Sequence, residues 1–401
     1  MKHSKILLFV LAAVFCACSD SEQTTQENEY KPLSLPMSQS RVSAQTNNFS
    51  YTLFDAAVKN QGNANVIISP LSANLTLSML DNAVAGSSRT ELTRALGFGD
   101  DLESLNAYNK SLLAYLPGAD NTAELYLPNS LWVTTDNIKS DFKTKLSDLY
   151  FAETNCITRQ VFTSKINSWV AEKTKGNITS ILDNNEGGDF AFLNCMYFKG
   201  TWTVPFDSEK TVKDDFKNFD GTVSRQEYMN GEHAVDNIGG ENYTAVSVPF
   251  GNKAFSLDIF LPDEGYTTED VIANLKSNGI PEFRNKKQVK LKFPKVSLTN
   301  RLDLIPVMKS LGVNGIFSLG ADFSPMLNDE NAEMIIGILR QANSFEIDEK
   351  GAKVASATVA VGETTGFNGV TEKFEVTRPF VFLVREQSTK AVLLAGRINK
   401  L

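Results

Sequence analysis

A stretch of small and polar residues, 352–372, constrains the fold of this 401-residue chain more than any other feature. It contains no large core side chain before Phe367 and no basic residue after Lys353. Stretches of about 20 residues without regular structure are uncommon inside a compact domain, where they are usually functional or disordered. Apolar, strand-like segments precede and follow it. We therefore expect a domain that carries this stretch as an exposed loop; a mobile surface loop with no role is the alternative.

The first half of this stretch has the alternation of a strand that is buried on one face. Successive side chains of a strand point to opposite faces. One set has no charge and no bulk and could therefore enter a core, whereas Lys353 falls in the other set and would point to solvent. Burying Lys353 unpaired would cost on the order of several kcal/mol. Gly351, just before the stretch, accepts any backbone region and suits a pivot. The two sets are Ala352, Val354, Ser356, Thr358, Ala360 and Lys353, Ala355, Ala357, Val359, Val361.

The rest of the chain mixes helix and strand patterns without an internal repeat. No Pro/Gly-rich break follows residue 45, so we expect one domain over 45–401. Helices are predicted over 48–58, from Pro70 behind a Ser69 cap to Gly86, over 89–96 before Gly97, and with a helical period over 165–182. Strands are predicted over 65–69, 130–133, 192–198, 289–293, 334–339, 380–384 and 391–398. The last two are predicted to form a hairpin that is buried on both faces.

The first residues predict a secreted, lipid-anchored protein. Lys2 and Lys5 precede an apolar run that is too short to span a membrane, so 1–17 is predicted to be a signal peptide. The end of this run resembles the bacterial lipoprotein signal, in which the next cysteine, here Cys18, is acylated; Phe15 and Cys16 depart from that pattern. We expect 18–44 to be the lipid anchor and a flexible tether, at the outer membrane or cell surface. Ordinary cleavage and free secretion is the alternative.

The mature sequence offers little catalytic or metal-binding chemistry. A net charge of −8 argues against a nucleic-acid partner. His233 is the one histidine outside the signal and no CxxC pair is present, so we expect no metal site and no cofactor. A hydrolase would have to rely on His233 without a G-x-S-x-G motif, which argues against an enzyme. Cys156 and Cys195 are expected to be free thiols.

Five segments together resemble the serpin family. They follow one another in the family's order, and the matches run from about residue 48 to the last residue. The resemblance implies an α+β serpin fold with three β-sheets, about eight or nine helices and an exposed reactive-centre loop. The segments are 65–72 (NVIISPLS), 166–178 (INSWVAEKTKGNI), 192–202 (FLNCMYFKGTW), 345–357 (FEIDEKGAKVASA) and 378–385 (RPFVFLVR).

The same resemblance implies an irreversible inhibitor of serine proteases, with some cysteine proteases as further candidate targets. The target protease would cleave the loop and stay bound through an acyl bond while the loop inserts into the main sheet. We expect a monomer that is not an enzyme and that contacts the membrane only through its N-terminal lipid. A non-inhibitory serpin that acts as a surface binding protein is the alternative, supported by the atypical Lys353 and Val354.

Serpin residues at the top of the main sheet carry over to this chain. At this breach, Glu349 would pair with Lys295, and Trp202 would cap the same region. Insertion of the loop would begin here. The hinge residues are Glu349, Lys350, Gly351, Ala352, Lys353, Val354, Ala355, Ser356 and Ala357.

A second set of serpin residues, the shutter, would lie under the middle of the sheet. Ser69, Ser72 and Asn194 would form a polar cluster that opens to admit the loop. Gln341 stands where the family usually has a histidine. A glutamine can replace the hydrogen bonds of a histidine but not its titration.

The family's usual spacing gives two positions for the cleaved bond. Counting forward from Glu349 places it after Thr365, and counting back from Pro379 places it after Asn368. We give the forward count more weight, because the length of the segment that inserts determines whether the protease is trapped. The reactive bond is therefore predicted at Thr365 and Gly366, with Thr364, Phe367 and Asn368 as neighbours.

The composition around this bond predicts the class of protease. Residues 354–372 contain no Lys or Arg, so a trypsin-like enzyme finds no partner for its acidic specificity pocket. Thr365 suits elastase-like enzymes. Phe367 would suit chymotrypsin- or subtilisin-like ones.

Overall fold

Helices and strands alternate along the chain, as the sequence pattern predicts. The structure, a computed structural model, describes residues 28–99, 101–184, 186–283, 285–329, 334–351 and 372–401. The α-helices within these ranges are α1 (Met37–Asn60), α2 (Pro70–Ala83), α3 (Gly86–Leu96), α4 (Leu102–Tyr115), α5 (Ser140–Tyr150), α6 (Phe162–Lys173), α7 (Thr268–Asn278) and α8 (Ile305–Ser310). The strands are β1 (Val66–Ile68), β2 (Glu124–Tyr126), β3 (Asn129–Val133), β4 (Glu153–Cys156), β5 (Phe190–Asn194), β6 (Tyr197–Lys199), β7 (Val212–Lys217), β8 (Val223–Gly239), β9 (Tyr243–Phe250), β10 (Phe255–Pro262), β11 (Asn285–Pro294), β12 (Val296–Asp303), β13 (Arg340–Ile347), β14 (Glu372–Glu375), β15 (Phe380–Glu386) and β16 (Val392–Ile398).

Nine of the described strands form one hydrogen-bonded group. Their order is β1-β16-β15-β10-β9-β8-β11-β14, with β7 paired to β8. The antiparallel hairpin of β15 and β16 pairs Phe380 with Ile398. Every residue of both strands is buried. The predicted hairpin and its burial on both faces are confirmed.

A second layer of strands is divided lengthwise by a groove. On one side β3 pairs with β4 and β5, and β2 pairs with β6; on the other side β12 pairs with β13. Phe345 of β13 stacks on Phe382 of β15 with ring centroids 4.2 Å apart, which joins this layer to the nine-stranded group. The hydrophobic core lies between the two layers and around α2. The predicted α+β fold is confirmed, and in the described residues no helix is both long and apolar enough to cross a membrane.

Helix α2 lies beneath the groove and contacts both of its sides. Ser69 Oγ accepts a hydrogen bond from Ser72 N and Pro70 is the first helical residue, so the predicted cap and first-turn proline are confirmed. All residues of α2 are buried. The helix ends at Ala83, earlier than predicted, and Gly86 begins α3 instead. Gly97, in the left-handed region, ends α3 as predicted.

Two of the predicted strands are wrong. The single strand predicted over 192–198 is two strands, β5 and β6, separated at Cys195 and Met196. The neighbouring strand is interrupted at the same level because Pro128 lacks an N–H, and Cys195 N donates to Pro128 O over 3.2 Å. The strand predicted over 334–339 is absent, and β13 begins only at Arg340. Its apolar residues indicate burial, whereas a strand also needs a paired neighbour.

The helix predicted over 165–182 and the N-terminal boundary also differ. α6 ends at Lys173, and Gly176 with φ of +78° turns the chain. Helix α1 begins at Met37 rather than near residue 48, so residues 37–44, predicted as part of the tether over 18–44, are helical. The Ser43 and Asn47 side chains both donate to Thr389 O over 2.9 Å. Because polar contacts bury this part of α1, no apolar period marks it in the sequence.

Candidate functional site

The groove between β5/β6 and β13 is the candidate site. Within the part of the chain that the structure describes, no backbone hydrogen bond crosses from β5 or β6 to β13. Each of these strands is paired on its other edge only. Cavities follow the groove along its length, lined at successive levels by Phe198 and Asn343, by Asn194 and Gln341, and by Phe190 and Ile338. The two facing edges therefore offer unpaired backbone donors and acceptors to an added strand.

Lys295 and Glu349 meet at the upper end of the groove. Lys295 Nζ lies 3.4 Å from Glu349 Oε1 and 3.4 Å from Glu227 Oε2. Thr211 Oγ1 donates to Glu349 Oε1 over 2.7 Å. Burial alone would raise the pKa of Glu349, but the Thr211 hydroxyl and the Lys295 ammonium outweigh it and lower that pKa. The carboxylate is thus held in its charged form at the residue where β13 leads into the hinge.

Trp202 fixes the backbone of the hinge. Its ring stacks on Phe250 with centroids 4.5 Å apart, and it is 3 % exposed. Its indole Nε1 donates to Asp348 O over 2.9 Å, and its backbone N donates to Lys350 O over 3.0 Å. The start of the predicted loop is therefore attached to the top of the β6 side of the groove.

Gly351 can only be a glycine in this conformation. Its φ is +125°, and an added Cβ would lie 2.3 Å from Gly200 O and 2.8 Å from Trp202 N. Both of those atoms belong to the backbone, so neither can move aside without a shift of the main chain. The close approach explains the glycine at the position that the sequence assigns to the pivot.

Gln341 ties β13 to the start of α2 at the middle of the groove. Its Nε2 donates to Ser69 O over 2.8 Å, and its Oε1 accepts from Ser69 N over 3.1 Å. Ser69 Oγ donates to Leu393 O over 2.8 Å. Asn343, two residues further along β13, donates to Ile67 O over 3.0 Å. The amide of Gln341 thus satisfies both backbone groups of Ser69.

Ser72 and Asn194 make the corresponding contact on the other side of the groove. Ser72 Oγ donates to Asn194 O over 3.2 Å, and Asn194 Nδ2 donates to Asn129 Oδ1 over 2.8 Å. Asn194 is 8 % exposed, and its Oδ1 has no hydrogen-bond partner. A buried acceptor without a partner is costly. Asn194 lines the cavity at this level of the groove, together with Ser72 and Gln341.

The segment between α6 and β5 crosses the front of the groove. On the β3 side, Trp169 of α6 packs edge-on against Trp132 with centroids 6.3 Å apart. On the β13 side, Arg340 donates to both oxygens of Glu186 over 2.7 and 2.8 Å. Arg301 of β12 donates to Asp183 over 2.7 Å. These ion pairs fasten the crossing segment to the far wall.

His233 is not placed for general-base catalysis. It is 4 % exposed and packs on Phe206 with ring centroids 4.2 Å apart. Burial lowers its pKa to about 4, so it is neutral near pH 7. Its enclosed position argues against the hydrolase hypothesis. Cys156 is exposed and Cys195 is buried; both are free thiols, as expected.

The remaining predicted site residues lie outside the described residues. These are Cys18, the hinge residues 352–357 and the reactive-bond residues Thr364, Thr365, Gly366, Phe367 and Asn368. Sequence reasoning missed Thr211, Asn129, Arg340 and Glu186 as part of the site. Their contacts join positions far apart in the chain. Asn129 beside Pro128, a polar residue entering a predicted strand, was the one usable signal.

Comparisons with known proteins identify the family. A family model described as serpin (serine protease inhibitor) matches residues 44–401, and the chain belongs to the serpin family. It is 30 % identical over 359 residues to Serpin-ZXA of Oryza sativa subsp. japonica, covering 83 % of this chain and 89 % of that protein. It is 29 % identical over 370 residues to serine protease inhibitor 42Dd of Drosophila melanogaster, covering 89 % and 96 %. The crystal structure of the thermophilic serpin tengpin in the native state matches with a TM-score of 0.80 at 24 % identity, over 93 % of this chain and 97 % of that one.

Replacement of Gln341 tests how the groove wall is held. Gln341→Ala leaves the buried N–H of Ser69 without its partner and removes one of the two donors to Ser69 O, which keeps the bond from Ala73 N. An unpaired buried donor costs about 1–3 kcal/mol. We expect the thermal midpoint to fall by about 5 °C, measured by circular dichroism. Gln160→Ala is the matched control because Gln160 is exposed. Equal midpoints for the two variants would show that the Ser69 contact does not stabilise the protein.

Proposed function

We propose that this protein is an irreversible inhibitor of serine proteases that acts by insertion of its cleaved loop into the groove. Serpins are generally protease inhibitors, but some members are not. The open groove, with unpaired edges on β5/β6 and β13, carries the proposal.

Insertion has an evident driving force. A strand between β5/β6 and β13 would pair with the unpaired backbone groups of both edges. The uncharged set of residues 352, 354, 356, 358 and 360 would face the core, while Lys353 would face solvent. The uncleaved protein would therefore be metastable. About 15 inserted residues at roughly 3.3 Å each would carry the attached protease about 50 Å.

The hinge is attached where insertion would begin. Gly351 forms an isolated bridge with Thr201 at the top of the β6 side, directly above the groove. The inserted strand would begin there and run down the groove beside β13. The segment between α6 and β5 lies across that path, so the Arg340–Glu186 ion pair would have to open as the strand passes.

A non-inhibitory surface protein is the second candidate. Lys353 and Val354 are atypical of an inhibitory hinge, and they are its support. The alternation of the following residues favours inhibition, because a loop that never inserts would tolerate charge or proline in its core-facing set. The two candidates differ in whether a covalent complex with a protease forms.

Mixing the protein with elastase, chymotrypsin and trypsin separately tests the function and the target class. We expect a denaturant-stable covalent complex with elastase, because Thr365 suits its small specificity pocket. The C-terminal peptide released from the complex should begin at Gly366 by mass spectrometry. No complex with trypsin is expected, since 354–372 lacks Lys and Arg. Clean cleavage by all three enzymes, without any complex, would favour the non-inhibitory candidate.

We also propose that Cys18 is acylated and holds the inhibitor at the cell envelope. The basic start, the short apolar run and the cysteine after a small residue support this. Cys18→Ala should move the protein from the membrane fraction to the soluble fraction, as followed by immunoblotting. Cys156→Ala is the matched control and should leave the distribution unchanged. A Cys18→Ala protein that stays with the membrane would contradict the anchor.

A further inference from the structure

Residues 28–36, which we call the docked segment, are attached to the body of the protein. Asn28 Nδ2 donates to Asp120 Oδ1 over 2.9 Å, and Asn28 Oδ1 accepts from Asn121 N over 3.0 Å and from Asn252 Nδ2 over 3.2 Å. The side chain of Asn28 thus uses both its donor and its acceptor. The Asn28 amide thus connects the docked segment to two parts of the body, the chain just before β2 and the turn between β9 and β10.

Further contacts follow along the docked segment. Tyr115 Oη donates to Lys31 O over 3.0 Å, and Leu33 N donates to Ser388 Oγ over 3.0 Å. Tyr30 Oη lies 3.4 Å from Glu386 Oε1. The side chains of Tyr30, Leu33 and Leu35 pack against the core. Contacts with the body therefore run along the docked segment from Asn28, the first residue that the structure describes.

Asn28 lies at the hinge end of the molecule. Its partner Asn252 follows Gly251, whose N donates to Thr201 O over 2.7 Å. Thr201 in turn forms the bridge with Gly351. Strand pairing shows which residues lie at each end of this layer. Glu124 pairs with Lys199 near the hinge end, and Val133 pairs with Cys156 at the opposite end. At about 3.3 Å per residue, residues 124–133 place the two ends about 30 Å apart.

We propose that the docked segment holds the hinge end of this inhibitor at the membrane surface, so that its targets are proteases acting beside the lipid. This rests on the proposed inhibition and on the proposed acylation of Cys18. Nine residues, 19–27, separate Cys18 from Asn28. Whatever its conformation, such a chain spans at most about 35 Å. A tether that ended near residue 44 would reach much further.

Insertion then has a direction relative to the membrane. The protease is bound at the hinge end, close to the lipid. The inserted strand runs from Gly351 towards the Val133 end, which the tether does not hold. A captured protease is therefore carried about 50 Å away from the lipid surface.

Energy transfer from two labelled sites tests the orientation. The full-length acylated protein is placed in phosphatidylcholine vesicles that carry an acceptor dye on the lipid headgroup. The donor is attached either to Cys156, which is exposed at the far end, or to Lys253→Cys in a Cys156→Ser background at the hinge end. Buried Cys195 should not react. We expect clearly higher transfer from position 253.

Variants of the docked segment give the matched comparison. Asn28→Ala removes the three contacts of the amide and should lower the transfer from position 253 by lengthening the free tether. Glu29→Ala alters an exposed neighbour and should leave it unchanged. Equal transfer from both donor sites, or higher transfer from Cys156, would overturn the proposal.

Two further readouts separate this proposal from those it rests on. If the mass of the full-length protein shows no acyl chains, the protein has no lipid anchor and the proposed orientation is wrong. Complex formation with elastase, measured without vesicles, depends on the loop alone. If no complex with elastase forms, the inhibitory function is overturned. The energy transfer would still report how the protein is oriented on the lipid.

Discussion

The two unpaired strand edges of β5/β6 and β13 are the constraint on which the rest of the structure depends. Backbone groups without partners are costly when they are buried, so a layer divided in this way must be held open by contacts elsewhere. Helix α2 supplies them from beneath, through Gln341 to Ser69 on one side and Ser72 to Asn194 on the other. The start of one helix therefore sets the separation of both walls.

The contacts at the top and front of the groove act against its closure or early filling. Trp202 and Lys295 hold the residues that lead into the loop, and Gly351 fits only because it has no Cβ. Arg340 and Glu186 fasten the crossing segment over the lower part. In the proposed mechanism the ion pairs and hydrogen bonds among these contacts would open, while the apolar core beneath stays intact.

The sequence predicted the parts of the fold that depend on local chemistry or on burial. The Ser69 cap, the Gly97 helix end and the buried β15–β16 hairpin are of this kind. The prediction was wrong where strand formation depends on a hydrogen-bonded neighbour, as at 192–198 and 334–339. An apolar run in the sequence does not show whether such a neighbouring strand exists. The N-terminal part of α1 was missed because polar contacts to Thr389 bury it. Of the site residues named from the family resemblance, those that the structure describes lie at the top or the middle of the groove. Arg340 and Glu186 were found only in the three-dimensional structure.

The central claim is that residues after Gly351 enter the groove with the even-numbered set facing the core. A matched pair of charges tests it: Thr358→Glu lies in that set and Val359→Glu in the other. Each protein is cleaved in the loop by thermolysin, a zinc protease that forms no acyl intermediate and so is not trapped, and is then heated. The account predicts that wild type and Val359→Glu gain about 10 °C or more in thermal midpoint on cleavage, as several kcal/mol of added stability require, whereas Thr358→Glu gains far less because its charge would be buried. Equal gains for the two variants, or no gain for the wild type, would contradict insertion in this register.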